Sequence, residues 1–413
     1  MLSKNNKIKI CILGPVALQD LIKNRKQNNF NKNLGSIGAP FLSNISKSMS
    51  KNNNLDVSVV TLSHLSPNLK GHIKIKKIDK MKVYFCPERA HHIRFNGWVV
   101  GKIFDLFNKE INYILKAINI IKPDIILANW PYEYTFAAYR SKIKYIVVNH
   151  DVPHKVFYYV PTLFRFVRFM MAKYILKKVE NIITPSLYLK NETQKYSDAN
   201  IKVIFNPIDQ SFFLKKKTIK KNQKEKKILM ISNDFVSGKN IKKAIIAFTH
   251  LTNKKNSHKL YLYGAVMGKN QACYNWAIKE KINLKNIFFK GYVDNNKLAN
   301  IYKKSDIYLS TSLEETFGVT YAEAMASGIP IIAGKNSGAT KEVIKNCGIL
   351  TDVSSVKSIC KSIIKYNDKK FYNKKRLMGI KRANKYFKLS IITKNYIDHV
   401  RYILNLNKNF HGK

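Results

Sequence analysis

The strongest constraint on this chain is a rhythm of short β-rich runs separated by stretches with helical spacing, repeated in two successive halves. In the first half the runs are KIKICILG (7–14), LDVSVVTLS (55–63), MKVYFC (81–86), PDIILAN (123–129), KYIVVNH (144–150), NIITPS (181–186) and IKVIFNP (201–207). In the second they are KILMIS (227–232), KLYLYG (259–264), NIFFKG (286–291), DIYLST (306–311), PIIAG (330–334) and CGILT (347–351). Strands alternating with helical patterns, including 105–121 and 162–179, call for parallel sheets covered on both faces. With 413 residues the chain is too long for one ordinary core. The expected fold is therefore α/β, with two doubly wound, Rossmann-like domains facing a central cleft. They span 1–210 and 227–387, joined by a basic connector at 211–226 that has charge but no apolar period. A terminal helix at about 388–413 is expected to pack back on the first domain. Ligands of such sheets sit beyond the carboxyl ends of the strands.

Charge restricts the partners less than its size suggests. Lys and Arg total 74 against 25 Asp and Glu, a net charge of +49, which points towards phosphates, nucleic acid or an anionic membrane. Lysine and asparagine are spread over the whole chain, however, as a compositional bias would spread them. Neither zinc-finger spacing nor an RNA-recognition signature appears, so no specific nucleic-acid partner is expected; a basic nucleic-acid-binding protein stays as the rival of another class. Hydrophobic residues at 45% exclude a disordered chain. The five cysteines show no CxxC pair and read as reduced thiols in the cytoplasm. The N-terminus does not resemble a signal peptide, and the longest apolar runs are too short to span a bilayer.

Against this basic background, the stretch LEETFGVTYAEAMASGIPIIAG (313–334) places Glu314 and Glu315 in a turn and Glu323 on the helix behind it. A helix N-terminus that follows a glycine offers free N–H groups and the positive end of a dipole, so an anion such as a phosphate belongs there. From Gly318 to Glu323 the axial rise is roughly 7–8 Å, enough for a carboxylate on each side of a diphosphate. Carboxylates accept from hydroxyls, which suggests a ligand with sugars at both ends of its diphosphate: a nucleoside diphosphate sugar. Glu323 would take the ribose hydroxyls and Glu315 those of the transferred sugar. Taken alone, the same residues also read as a solvated turn and a helix surface charge. After the first strand, Gly35 and Gly38 either let backbone approach a ligand or serve only a turn.

This stretch resembles the E-x7-E segment of the retaining glycosyltransferases of family 4, which have a B-type fold of two Rossmann domains. Glu315, Phe317, Gly318, Glu323, Ala324, Met325, Ala326, Gly328 and Pro330 fall in register with the family pattern. FFKGYVDNNKLANIYKKSDIYLSTS, SGATKEVI, CGILTD, TPSLYLKNET and VIFNPIDQSFF agree in order and spacing, while residues 1–122 match only in outline. The resemblance implies that Lys239, in ILMISNDFVSGKN, neutralises the donor diphosphate together with the N–H groups of Phe317, Gly318, Val319 and Thr320, with Thr316 beside them. Ser232 and Asn233 stand where the family often has Gly-Arg, which removes one guanidinium. Tyr292 and Val293 would lie near the nucleobase, Gly38 near the donor, and His150, in VVNHDVPHKV, against the transferred sugar. Glu315, Lys239 and His150 are the implied catalytic residues.

The resemblance further implies a hexosyltransferase-like reaction that retains anomeric configuration, in cell-surface polysaccharide, lipopolysaccharide or glycolipid synthesis. The acceptor would be a saccharide or lipid-linked saccharide. The absence of Asp-x-Asp argues against a metal, and no cofactor is expected beyond the nucleoside diphosphate sugar itself. His150 and His154 have the spacing of a metal pair on a helix, but Pro153 argues against a helix there. A sugar-nucleotide epimerase or a glycosyl phosphorylase of the same fold remains an alternative.

One further segment bears on the acceptor side. In FYYVPTLFRFVRFMMAKYILKKV (157–179), Leu163, Val167, Met170, Met171 and Tyr174 share a helical face opposite Arg165, Arg168 and Lys173. Such a helix either packs on its own sheet or lies on an anionic membrane surface. The latter would make the protein peripheral on the inner face of the cell membrane.

Overall fold

The computed structural model describes residues 7–22, 34–36, 39–63, 69, 71–90, 101–214, 225–252 and 258–406. Gly38 and most of the connector expected at 211–226 lie outside them. Contacts divide the chain into two units. One comprises residues 1–185, 189–207 and 389–413, the other 186–188 and 208–388.

The first unit carries, among its described residues, the strands β1 (Ile8–Leu13), β2 (Leu55–Ser63), β3 (Lys74–Ile78), β4 (Met81–Pro87), β5 (Ile125–Asn129), β6 (Tyr145–Val148), β7 (Asn181–Thr184) and β8 (Asn200–Val203). They form one sheet in the order β3-β4-β2-β1-β5-β6-β7-β8. All neighbours are parallel except β3, which runs antiparallel to β4. Successive β1 residues feed opposite cores: Ile10 and Ile12 pack in one apolar cluster, Cys11 and Leu13 in the other. Both faces are therefore covered, as near-continuous apolar strands require. The terminal helix Leu389–Leu406 supplies Ile392, Tyr396, Ile397, Val400 and Ile403 to the first of these clusters. Edge strand β3 is not among the strands expected from the sequence. In its KIKKI the two isoleucines, Ile75 and Ile78, are three residues apart and fall on opposite faces, so the apolar pattern carries no period-two signal.

The second unit carries β9 (Lys227–Ile231), β10 (Lys259–Tyr263), β11 (Ile287–Gly291), β12 (Ile307–Leu309), β13 (Ile331–Gly334) and β14 (Gly348–Thr351). They pair in parallel in the order β11-β10-β9-β12-β13-β14. Both units are thus Rossmann-like α/β domains. In each the strand order reverses once, between β1 and β5 in the first and between β9 and β12 in the second. The loops leaving the two strands of such a pair diverge and open a crevice at their carboxyl ends.

Two expectations need correction. The helix Pro153–Tyr159 begins at Pro153 itself, the residue that argues against a helix in the sequence. Proline fits the first helical turn, where its missing N–H would have no intrahelical acceptor. His154 therefore sits on a helix, with Nδ1 3.1 Å from the Tyr196 hydroxyl and Nε2 3.6 Å from Glu192.

The segment 157–179 is likewise two helices, the second being Leu163–Leu176, and its faces are rotated from the expected ones. Met171, Ala172, Ile175 and Leu176 are buried. Arg168 turns inward, its guanidinium 3.7 Å above the Tyr132 ring and 3.2 Å from Glu133. The exposed stripe is Leu163 (57% exposed), Phe166 (44%), Met170 (46%) and Tyr174 (55%). A carboxylate buried on a neighbouring helix outweighs the amphipathic pattern, because a buried charge must be paired.

Candidate active site

In the second unit the crevice lies between the loops that leave β9 and β12. The first passes through the 3-10 turn Ser237–Lys239 into the helix Ile241–Thr252; the second, 310–318, leads into the helix Val319–Ala326. The two loops are tied together. Leu313 N–H donates to the Gly238 carbonyl at 2.8 Å, and the Thr311 hydroxyl donates to the carbonyls of Lys239 and Asn240 at 3.2 and 2.9 Å. This bracing brings Lys239 Nζ to 2.8 Å from Glu315 Oε1. The Glu315 carboxylate, more than any other group, raises the Lys239 ammonium above its ordinary range, so it stays charged.

Gly318 caps the helix Val319–Ala326 with φ +75°, and a Cβ there would lie 2.3 Å from the Tyr321 ring. Only glycine fits. The preceding Phe317 is buried and meets Phe387 edge to face, with centroids 5.7 Å apart. Phe-Gly is therefore a mechanical unit: the ring anchors the turn, and the glycine lets the backbone swing into the helix. The first intrahelical bond runs from Tyr321 N–H to the Gly318 carbonyl at 2.9 Å, so the N–H groups of Val319 and Thr320 lie ahead of it, directly after the turn that carries Glu315. The carbonyl of Thr316 accepts from the Ser186 hydroxyl at 2.6 Å.

Further along this helix, the Tyr302 hydroxyl donates to Glu323 Oε2 at 2.8 Å. Loss of hydration is the main cause of a Glu323 pKa pushed up to about 8; Asp209 adds to the rise and the Tyr302 bond opposes it. Sequence reasoning missed Tyr302 and, below it, Tyr308 and Tyr321. All three are fully buried, with centroids 5.7 Å apart for Tyr302 and Tyr308 and 6.3 Å for Tyr308 and Tyr321. Spacing along the chain carries no signal for them, because each acts through a contact on another element.

Where the family often has Gly-Arg, the Asn233 side-chain carbonyl accepts from Ala265 N–H at 3.2 Å, and the Ser232 hydroxyl donates to the Asp234 carbonyl at 2.8 Å. Both hold the loop in shape. Tyr292 and Val293 follow β11; Tyr292 is exposed and Val293 half-buried.

His150 lies in the first unit, just beyond β6 and close to that sheet's own switch point. Its Nε2 is 3.0 Å from Asn129 Oδ1, and Asn129 Nδ2 donates to the Leu13 carbonyl at 3.0 Å. With the amide oriented by Leu13, Oδ1 can only accept, so Nε2 carries the proton and Nδ1 is the lone-pair nitrogen. Nδ1 is buried without a hydrogen-bond partner. Burial among rings, Phe41 at 5.0 Å and Trp130 at 4.5 Å, lowers the His150 pKa to about 3. Such a histidine can accept a hydrogen bond from a hydroxyl at Nδ1 but cannot serve as a cationic acid. Among the described residues no cluster of three or more His, Cys, Asp or Glu is placed to hold a metal.

Residues 212–386 match the family described as glycosyl transferases group 1, and residues 42–212 match glycosyltransferase family 4. The N-acetyl-alpha-D-glucosaminyl L-malate synthase of Bacillus anthracis is 26% identical over 258 residues, 58% of this chain and 64% of that protein. The alpha-monoglucosyldiacylglycerol synthase of Streptococcus pneumoniae is 28% identical over 188 residues, 41% of this chain and 42% of that protein. The chain thus spans between about two fifths and two thirds of the length of these curated relatives. Among solved structures, sucrose-phosphate synthase from Thermosynechococcus elongatus superposes with a TM-score of 0.75 at 15% identity, covering 97% of this chain and 100% of that one. Anabaena HepE in complex with UDP-glucose gives 0.68 at 15% identity, covering 96% and 100%. At such identities the structures attest the shared fold.

Proposed function

Because the chain belongs to the group 1 glycosyl transferases, we propose that it moves a sugar from a nucleoside diphosphate sugar to a saccharide or lipid-linked saccharide acceptor, with retention at the anomeric carbon. The observation that carries this reading is the meeting of Lys239, Glu315 and the start of the helix Val319–Ala326 at a sheet switch point. Lys239 and the helix N–H groups stabilise the departing diphosphate. Glu315 orients the transferred sugar, and the group that His150 offers to a sugar hydroxyl is Nδ1. The bond from the anomeric carbon to the phosphate oxygen breaks, that oxygen takes the acceptor's proton, and the acceptor oxygen bonds to the same face. The complex of HepE with UDP-glucose makes UDP and its sugars the first donors to try.

The exposed stripe Leu163, Phe166, Met170 and Tyr174, with Lys173, Lys177 and Lys178 exposed beside it, supports an acceptor held at an anionic bilayer. The names of two relatives, the alpha-monoglucosyldiacylglycerol synthase above and an O-antigen chain mannosyltransferase from Salmonella typhimurium, are in keeping with a glycolipid or polysaccharide product. The five cysteines, all held as thiols and not as disulfides, support a reducing compartment and hence attachment to the inner face of the membrane.

The test is thermal unfolding with UDP, GDP, ADP and their sugars, since a ligand bound only to the folded state raises the melting temperature. A shift with one nucleotide family, lost in Glu323→Ala, is the expected result. No shift with any of them, beside a large salt-sensitive shift with RNA, would favour a nucleic-acid-binding protein. Interconversion of the donor without acceptor would indicate an epimerase.

A further inference from the structure

We infer that Tyr302 is a positioning residue for the donor: its hydroxyl holds one oxygen of Glu323 so that the other faces the ribose hydroxyls, and nucleotide affinity then follows the charge of that carboxyl. This rests on the donor reading given above. Tyr302 is fully buried on the helix Asn295–Lys304, its ring stacked on Tyr308 at 27° and met edge to face by Phe212 with centroids 5.5 Å apart. Packing on both sides removes the freedom of the ring. Its hydroxyl, 2.8 Å from Glu323 Oε2 and 3.4 Å from the Thr320 carbonyl, is delivered to a single spot. A buried phenol is costly in a core that phenylalanine would fill equally well, unless its bond to the carboxylate is used.

The charged and titratable groups around Glu323 explain the second half of the inference. Tyr302 bonds it from one helix, and Asp209, ahead of the turn Gln210–Phe212, repels its charge. On the helix Lys369–Tyr386, Arg376 is engaged with the Gly328 carbonyl at 3.0 Å. Tyr308 and Tyr321 are themselves held neutral by burial. Desolvation prevails, and the free carboxyl titrates near 8. A ribose diol donates best to a carboxylate, so binding expels the proton and the competent fraction of the protein grows with pH.

The test is calorimetric titration with UDP from pH 6 to 9, in buffers of different ionisation enthalpy, with GDP and ADP in parallel. In the unmodified protein, affinity should rise by about tenfold per pH unit below 8 and then level off, with a proton released on binding. In Tyr302→Phe the break should move to higher pH and affinity at pH 7 should fall about tenfold, the size of a lost hydrogen bond to a charged group. KM for the donor should change more than kcat, and Glu323→Gln should give a flat profile. A Tyr302→Phe protein that binds with the unmodified pH profile, or an unmodified protein whose affinity ignores pH, overturns this inference and leaves the donor reading standing. Absence of binding by all three nucleotides at every pH overturns both.

Discussion

Lys239 and Glu315 hold one another at 2.8 Å across the crevice of the second unit, so these two groups are already partnered with each other. A diphosphate must draw the ammonium away from the carboxylate. Lys239→Ala should weaken nucleoside diphosphate binding by about tenfold or more while weakening the monophosphate less. Glu315→Gln releases Lys239, so it should keep or tighten nucleotide binding while transfer falls by about a hundredfold. Calorimetry and a transfer assay on the same preparations separate the two effects. Full transfer by Glu315→Gln would remove that residue from the mechanism.

The glycine before the helix offers a purely mechanical check. Gly318→Ala places a Cβ at φ +75° and within 2.3 Å of the Tyr321 ring, so either the backbone or the tyrosine must move. A loss of about 1–3 kcal/mol in urea unfolding is expected, with nucleotide affinity reduced as the first-turn N–H groups shift.

Glu323 should set function against stability. Its carboxyl titrates near 8 in the fold against 4.5 when unfolded, so between those values the folded state holds a proton that the unfolded chain has lost. Stability due to this group therefore falls as pH rises through that window. Glu323→Gln should melt higher than the unmodified protein at pH 8.5, and the two should converge below pH 4.5. Equal melting temperatures at pH 8.5 would show that the carboxyl is not desolvated.

His150 works in the opposite direction. With a folded value of about 3 against 6.5 unfolded, it contributes stability that is present above 6.5 and is lost as pH falls towards 3. Nitrogen NMR at pH 5 should find a neutral ring protonated at Nε2. An imidazolium there would contradict the Asn129 network.

The stripe on the helix Leu163–Leu176 can be altered without touching the core. Phe166→Glu with Met170→Glu should reduce sedimentation with phosphatidylglycerol vesicles by about tenfold and leave nucleotide binding unchanged. Salt should release the unmodified protein in part; release by detergent alone would argue against an electrostatic component.

The chain by itself determined whatever rests on local rules. Apolar runs announced the interior strands, the Gly318 and Gly328 boundaries of the helix carrying Glu323 were readable, and the E-x7-E spacing marked the crevice. Each is a matter of backbone preference or of period along a few residues. Tertiary structure alone decided the partnerships. Glu315 meets Lys239 across 76 residues, Tyr302 reaches Glu323 across 21, and Glu133 draws Arg168 inward across 35. The lysine-rich β3 became a strand because β4 was there to pair with it, and His150 acquired its tautomer from Asn129 and Leu13. Such choices come from desolvation and packing, which act between elements that only the folded chain brings together.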